Sequence, residues 1–485
     1  DLSDITWGAL TNLYQVFYLA DALTLDLSGW DFGVGSPNVS LERIFYHLDF
    51  NTSLDLSSWT NLSASNMKYA FRNADITSVN ISGWDSSSVT TYNGMFYQAY
   101  DIEEVIGLNE LSSAAVTGIG ISSMFADTKN ISFTGAANNF STAWGLGLVN
   151  CTSLSNIFSQ CGLNLVSPGA PPNVANWVLT ANTQLLGTFY NSKFSSPPAI
   201  ESWDTSALSG AQTNAFYLAD WGSSYTLDLS AWNFTSAVTS WIGAWRQVPN
   251  LTSVTFDSAN CDFGGVTDMN QMFYECPQLT TITFSGATDF SAVTNFQNFL
   301  NNTDALETLD LGTVQDFSAV TNWTSFAINI ANAPIDMNWK NDADITATTQ
   351  LSSLLTASQI ETADYDNLLI ALDAKGNSSG NLQGGNSKYE PTNVDSGTTD
   401  GVAANKLIQS GQNFVTTVTI NDIVYNTTDE TYAKVTAVDD NETLSLDLDI
   451  MVSGEGYEIQ SSAAAKARYG LDITKSWTIA DAGPV

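Results

Sequence analysis

Twelve aromatic residues recur along this chain at a nearly constant interval: Phe17, Phe45, Phe71, Phe96, Phe125, Phe158, Phe189, Phe216, Trp245, Phe273, Phe299 and Phe326. The gaps between them run from 25 to 33 residues and centre near 28. A period of that length is the mark of a repeat array, and it outweighs every other sequence signal. The surroundings of the anchor repeat as well. After it comes an alternating phrase such as Leu251–Phe256 (LTSVTF), Leu279–Phe284 (LTTITF) or Leu306–Leu311 (LETLDL). Alternation of this kind predicts a short strand with one buried face. A Trp or Phe followed by Asp, Asn or Ser comes next, as at Trp84-Asp85 and Trp203-Asp204. A Val-Thr pair then leads to the next anchor, with apolar residues at helical spacing over one or two turns. One strand, one turn and one short helix make a single coil. Such a coil hides its apolar stripe only by stacking on its neighbours.

The full phrase is closest to consensus in Val266–Phe284, VTDMNQMFYECPQLTTITF. It resembles the BspA-type leucine-rich repeat, a family of surface proteins in bacteria, mycoplasmas and some protists. The resemblance covers roughly residues 1–390 and a C-terminal piece. It implies an α/β solenoid with a short strand and a short helix per coil, and a C-terminal cap. The cap would comprise a helix over TADYDNLLIALDA, a strand leading to Gly385-Asn386-Ser387, a second helix over AAAKARYGL and a closing strand at Trp477-Thr478-Ile479. A cap is physically required, because a bare last coil exposes its core and its strand edge.

Between the two cap halves the composition changes. From about Asp395 to Ile459 the chain reads as five short strands with turns at Asn421-Asp422, Asp439-Asp440-Asn441 and Gly454. Its wording resembles small β modules of tailed-phage virion proteins. The expected organisation is therefore a solenoid over 1–350, a first cap half over 351–394, an inserted all-β domain over 395–460 and a second cap half over 461–485. The first repeat lacks a preceding cap, so upstream chain, a neighbouring subunit or a partner is expected to cover it.

The charge balance is extreme, with 14 Lys+Arg against 50 Asp+Glu and a net charge of −36. That speaks against binding nucleic acid or anionic membranes, which need cations. It suits a saline, extracellular setting where charge is screened. No run approaches the ~18 apolar residues of a membrane span. Catalytic signals are lacking. The single histidine, His47, has no Ser or Cys partner pattern around it. No zinc spacing and no phosphate-cradling loop occurs. Cys161 and Cys276 both follow an anchor by three residues, which suggests small side chains in a buried ladder. Local bridges Cys151–Cys161 and Cys261–Cys276 remain the alternative.

Seven residues stand between two apolar positions of the strand phrase: Asp26, Asp55, Asn80, Asp228, Thr255, Thr283 and Asp310. The pleat turns them to the exposed face. Stacked carboxylates repel, so this face is a candidate site for a cation such as Ca²⁺ or for a sugar. The recurring Trp30, Trp59, Trp84, Trp203 and Trp232 read as core ladders rather than a glycan platform. The functional expectation is a non-enzymatic recognition or adhesion module, displayed on a virion as a fibre, receptor-binding or decoration protein and contacting a host-surface glycan or protein. A self-assembling fibre, capsid or surface-layer subunit and a secreted bacterial adhesin are the alternatives.

Overall fold

Every second amide along the anchor turn is committed to the neighbouring coil. The N–H groups of Arg43, Phe45 and His47 donate to the carbonyls of Lys68, Ala70 and Arg72 at 3.1, 2.8 and 3.0 Å. The amides between them donate backwards within the coil, Ile44 to Leu41 and Tyr46 to Arg43, both at 3.2 Å. This is a chain of linked β-turns, and it replaces the short helix expected in each coil. The apolar spacing that looks helical is the three-residue period of the turns. Two backbone positions make the arrangement possible. The residues two before and two after the anchor take left-handed φ, 58° at Arg43 and 56° at His47. The same pair recurs at Tyr69/Asn73, Gly94/Gln98, Asn156/Gln160, Asn214/Leu218 and Gln271/Glu275. Asn and Gly recur there because they tolerate this region best.

The structure is a computed structural model, and it describes residues 10–21, 25–33, 38–59, 61–286, 288–312, 316–330, 334–337, 351, 353–375 and 380–485. The expected cover over the first coil lies outside the described residues. Two compact units are present, one of Asp1–Val293 with Asn298–Leu306, the other of Thr294–Gln297 with Glu307–Val485.

The first unit is a β-solenoid. Short parallel strands stack in register, Ser53–Asp55 on Ser78–Asn80 on Glu104–Ile106, and Tyr225–Asp228 on Leu251–Asp257 on Thr281–Ser285. Among its described residues the helical elements are Thr142–Leu146, Leu108–Glu110 and Leu148–Asn150, so no coil carries the regular helix of an α/β repeat. The anchors form one buried ladder. Ring centroids of Phe17–Phe45, Phe45–Phe71 and Phe71–Phe96 are each 5.2 Å apart and nearly parallel. The ladder continues through Phe125, Phe158, Phe189, Phe216, Trp245 and Phe273. Each such side chain stabilises the stack by roughly 1.5–3 kcal/mol.

The next rung is Leu300, not Phe299. Left-handed φ falls at Asn298 and Asn302, which brackets Leu300. The Phe273 amide donates to the Phe299 carbonyl, as the Phe71 amide donates to that of Met95, so Phe299 holds the seat just before the anchor. Its ring accordingly meets Phe273 edge-on, at 80°. In the second unit the left-handed pairs are Ser325/Asn329 and Ser353/Ala357, so Ala327 and Leu355 are the seats there and Phe326 stands one residue early.

A second ladder runs through the tryptophans. Trp30, Trp59 and Trp84 are stacked at 5.2 and 5.6 Å. Trp59, Trp84, Trp203 and Trp232 each donate the indole N–H to a carbonyl one coil back, those of Leu27, Leu56, Val174 and Ile200. Phe fills space equally well but lacks that donor.

Side chains make the corners. Asp85, Asp204, Asp262 and Asp289 each accept from the amide two residues on, at 2.8–3.0 Å. Asn66 and Asp268 do the same where the chain enters the anchor turn. These Asx-turns explain why so acidic a chain folds as a solenoid: its carboxylates bend the backbone at the rim while the core stays apolar.

In the second unit the Leu355 amide donates to Gln383, where Gly384 follows and the Tyr365 ring fills the space a side chain would need. The helix Thr362–Ala374 lies here. The strand Asn381–Gln383 pairs in parallel with Thr478–Ala480, nearly a hundred residues later. Between them, an antiparallel six-stranded sheet runs in the order Asn393–Thr398, Gly456–Gln460, Ile423–Asn426, Thr431–Val438, Thr443–Leu446, Lys406–Ile408. Its core holds Leu407, Phe414, Val424, Val435, Leu444, Tyr457 and Ile459. Six strands form where five were expected, and Phe414–Thr417 is a helical turn.

Candidate recognition face

The seven strand-face residues fall into separate groups. Asp55 pairs with Asn80, and Asp228, Thr255 and Thr283 stand in register across three strands. Asp26 belongs to another coil of the first unit, and Asp310 lies on the strand Thr308–Asp310 of the second unit. Five of the seven are engaged locally. Asp26, Asp55, Asn80 and Asp228 accept from the amides of Ser28, Ser57, Ser82 and Ser230, and Asp310 accepts from Gly312. These bonds end the strand and turn the chain. Among the described residues no group of three His, Cys, Asp or Glu side chains is placed to hold a metal ion.

The four cysteines are free and buried. Cys161 and Cys276 donate to the carbonyls of Phe125 and Trp245, each the anchor one coil back, at 3.0 and 2.9 Å. Thr303, three residues past Leu300, makes the same bond to Phe273 at 2.8 Å. The recurring tryptophans are buried and so belong to the core.

What the sequence reading passed over is a surface strip on the anchor turn. The residue after the anchor is Tyr at Tyr18, Tyr46, Tyr97, Tyr190, Tyr217 and Tyr274. Left-handed φ on either side turns it out of the core, opposite the anchor. Tyr18 and Tyr46 stack at 5.3 Å. Arginines interleave with the rings. Arg43 lies 5.8 Å from Tyr46 and 5.6 Å from Tyr69, and its Nη1 donates to the Tyr14 hydroxyl at 2.9 Å. Arg72 lies 5.4, 5.0 and 4.8 Å from Tyr46, Tyr69 and Tyr97. Lys68 is over Tyr69 at 5.2 Å, and His47 packs edge-on to Tyr46 at 4.4 Å. Gly94 leaves room for the Tyr69 ring, which a methyl group would strike. Farther along, Arg246 lies between Tyr217 and Tyr274 at 4.9 and 5.2 Å. Tyrosine and arginine are the residues most enriched at energetic centres of interfaces. The signal was in the sequence as a repeated Phe-Tyr pair, masked by attention to the anchor itself.

A family model described as "Mycoplasma protein of unknown function, DUF285" matches residues 39–145, 152–281 and 246–359. The chain belongs to the DUF285 family. The DUF285 match and the coiled architecture agree with a BspA-type repeat protein, and the match spans the coils bearing Arg43–Tyr97 and Tyr217–Tyr274. The sheet of 393–460 lies beyond the DUF285 segments. No curated protein and no solved structure matches the chain. Among the described residues no helix is long and apolar enough to cross a membrane.

Proposed function

We propose that this DUF285 protein is a non-enzymatic surface-recognition module, and that its anchor-turn strip from Tyr14 to Tyr97 is the contact face. The observation carrying this is the Tyr14–Arg43–Tyr46–Tyr69–Arg72–Tyr97 array, a preorganised and partly exposed set of interface-type side chains. Such side chains lose little entropy on binding, because the stack already fixes them. Membership of a surface-repeat family supports the reading. The resemblance of the wording of residues 395–459 to small tailed-phage β modules motivates the further proposal of display on a virion, outside the cell, facing a host-surface glycan or protein.

The test is binding of the purified chain to cell surfaces and to glycan arrays. Wild type is expected to bind, and Tyr46→Ser with Tyr97→Ser to bind about tenfold or more weakly. Unchanged binding by that variant, or turnover of a polysaccharide by the wild type, overturns the proposal.

A further inference from the structure

Cations are scarce here, and their distribution is uneven. Fourteen Lys+Arg face fifty Asp+Glu, so a carboxylate partner is abundant for any of them. Lys406, Lys434, Lys466, Arg468 and Lys475 take one, pairing with Asp439, Asp447, Asp422, Asp481 and Asp373. Arg43, Lys68 and Arg72 have no ion-pair partner among the described residues, which is true also of Lys129, Lys193, Arg246 and Lys388, but these three lie together on two adjacent coils. They are held by tyrosine rings, which fix a cation without neutralising it. Two adjacent coils thus present three positive groups in a field that the rest of the chain makes negative.

We propose that this strip binds an anionic polysaccharide, laid along the coil axis with its carboxylate or sulfate groups against Arg43, Lys68 and Arg72. The proposal rests on the recognition role argued above for the same face. Three features select this ligand class. First, the repeat along the strip is 5.2 Å, the spacing of the anchor rings. Same-face side chains of an extended acidic peptide recur at roughly 6.6 Å, which does not match that step. Second, the turn amides already donate to the next coil, so no edge remains for an added strand. Third, the tyrosine hydroxyls supply the donors and acceptors that sugar hydroxyls match, and exposed Tyr14 and Tyr18 offer apolar surface to a pyranose face. Asp49 and Asp75 are bridge partners on these coils, and Glu42, beside Arg43, accepts from Asn66 at 3.2 Å, so the positive groups are bordered by carboxylates.

Calorimetry with the full chain at low ionic strength tests this, using alginate and dextran sulfate as probes, with neutral dextran and polyglutamate for comparison. Binding of alginate or dextran sulfate is expected, with none to dextran and about tenfold weaker binding to polyglutamate. Arg43→Gln with Arg72→Gln is expected to weaken polyanion binding about 10- to 100-fold. Lys68→Gln serves if that pair unfolds, and Lys388→Gln, which removes a charge of the second unit, is expected to bind as wild type. Polyglutamate binding as tight as alginate, wild-type affinity in the folded arginine variant, or no polyanion binding at all overturns the proposal. In the last case, loss of cell-surface binding by the tyrosine variant would still leave the recognition role standing.

Discussion

Cys276 donates its thiol hydrogen to the carbonyl of Trp245, the anchor of the coil before its own. Cys161 has the same relation to Phe125. Burial pushes the thiols of Cys161, Cys261 and Cys276 up to about 12 and that of Cys151 up to about 11. Thiolate is the reactive form, so none of the four is expected to react with a thiol reagent at pH 8 while the chain is folded. All four are expected to react in denaturant. Cys276→Ala is expected to cost about 1–2 kcal/mol in a denaturant titration, and Cys276→Ser less, because a hydroxyl restores the bond.

Gly94 lies under the Tyr69 ring with φ +58°. Gly94→Ala introduces both a clash and left-handed strain. A loss of roughly 1–3 kcal/mol is expected by thermal melting, accompanied by weaker cell-surface binding, since the displaced Tyr69 no longer supports Arg72. Leu218→Gly is the opposite case. Its φ of 59° is unfavourable for leucine, and glycine there is expected to leave stability unchanged or raise it by up to about 1 kcal/mol.

Asp366, on the helix Thr362–Ala374, is driven by burial up to about 6 from an ordinary 3.8, although it accepts the Glu390 amide. The folded carboxyl therefore holds its proton more tightly than the unfolded one. Its contribution to stability is full below about pH 3.8 and is lost as pH rises through 6. Melting temperature is expected to rise as pH falls from 7 to 5, and Asp366→Asn to flatten that rise.

Arg468 and Asp481 form a two-bond ion pair, 3.1 Å at each contact, and Asp481 also accepts the Tyr365 hydroxyl at 2.8 Å. Asp481→Ala leaves a buried guanidinium with only the looser contact to Asp472, at 3.7 Å. The expected loss is about 3–5 kcal/mol, read as earlier melting of the second unit by hydrogen exchange. Arg468→Lys is expected to recover only part of it, since lysine lacks the planar fork.

The solenoid was legible because Phe71, Phe96 and Phe273 repeat a buried seat, and a seat in a ladder tolerates little change. Phe299 and Phe326 misled for the same reason: each is aromatic and buried, yet stands in the seat that Met95 and Met272 fill elsewhere. Composition marks the seat; only backbone φ at Asn298 and Asn302 fixes its position. The helix failed because three-residue spacing does not distinguish a helical turn from linked β-turns. Asp55 and Asp228 looked like free charges, since a contact with an amide two residues away leaves no pattern beyond a following Ser. The tyrosine strip depends on which way the residue after the anchor points, and that follows from left-handed turns that no residue pattern announced.

Asn393 and Gln460, the first and last residues of the inserted sheet, face each other as strand partners. The guest therefore leaves its host by the doorway it entered. The flanking strands Asn381–Gln383 and Thr478–Ala480 meet a gap of constant width, whatever folds beyond it. That makes the position a socket: evolution can exchange one module for another, or an engineer can splice in cargo, without re-cutting the structure that holds it.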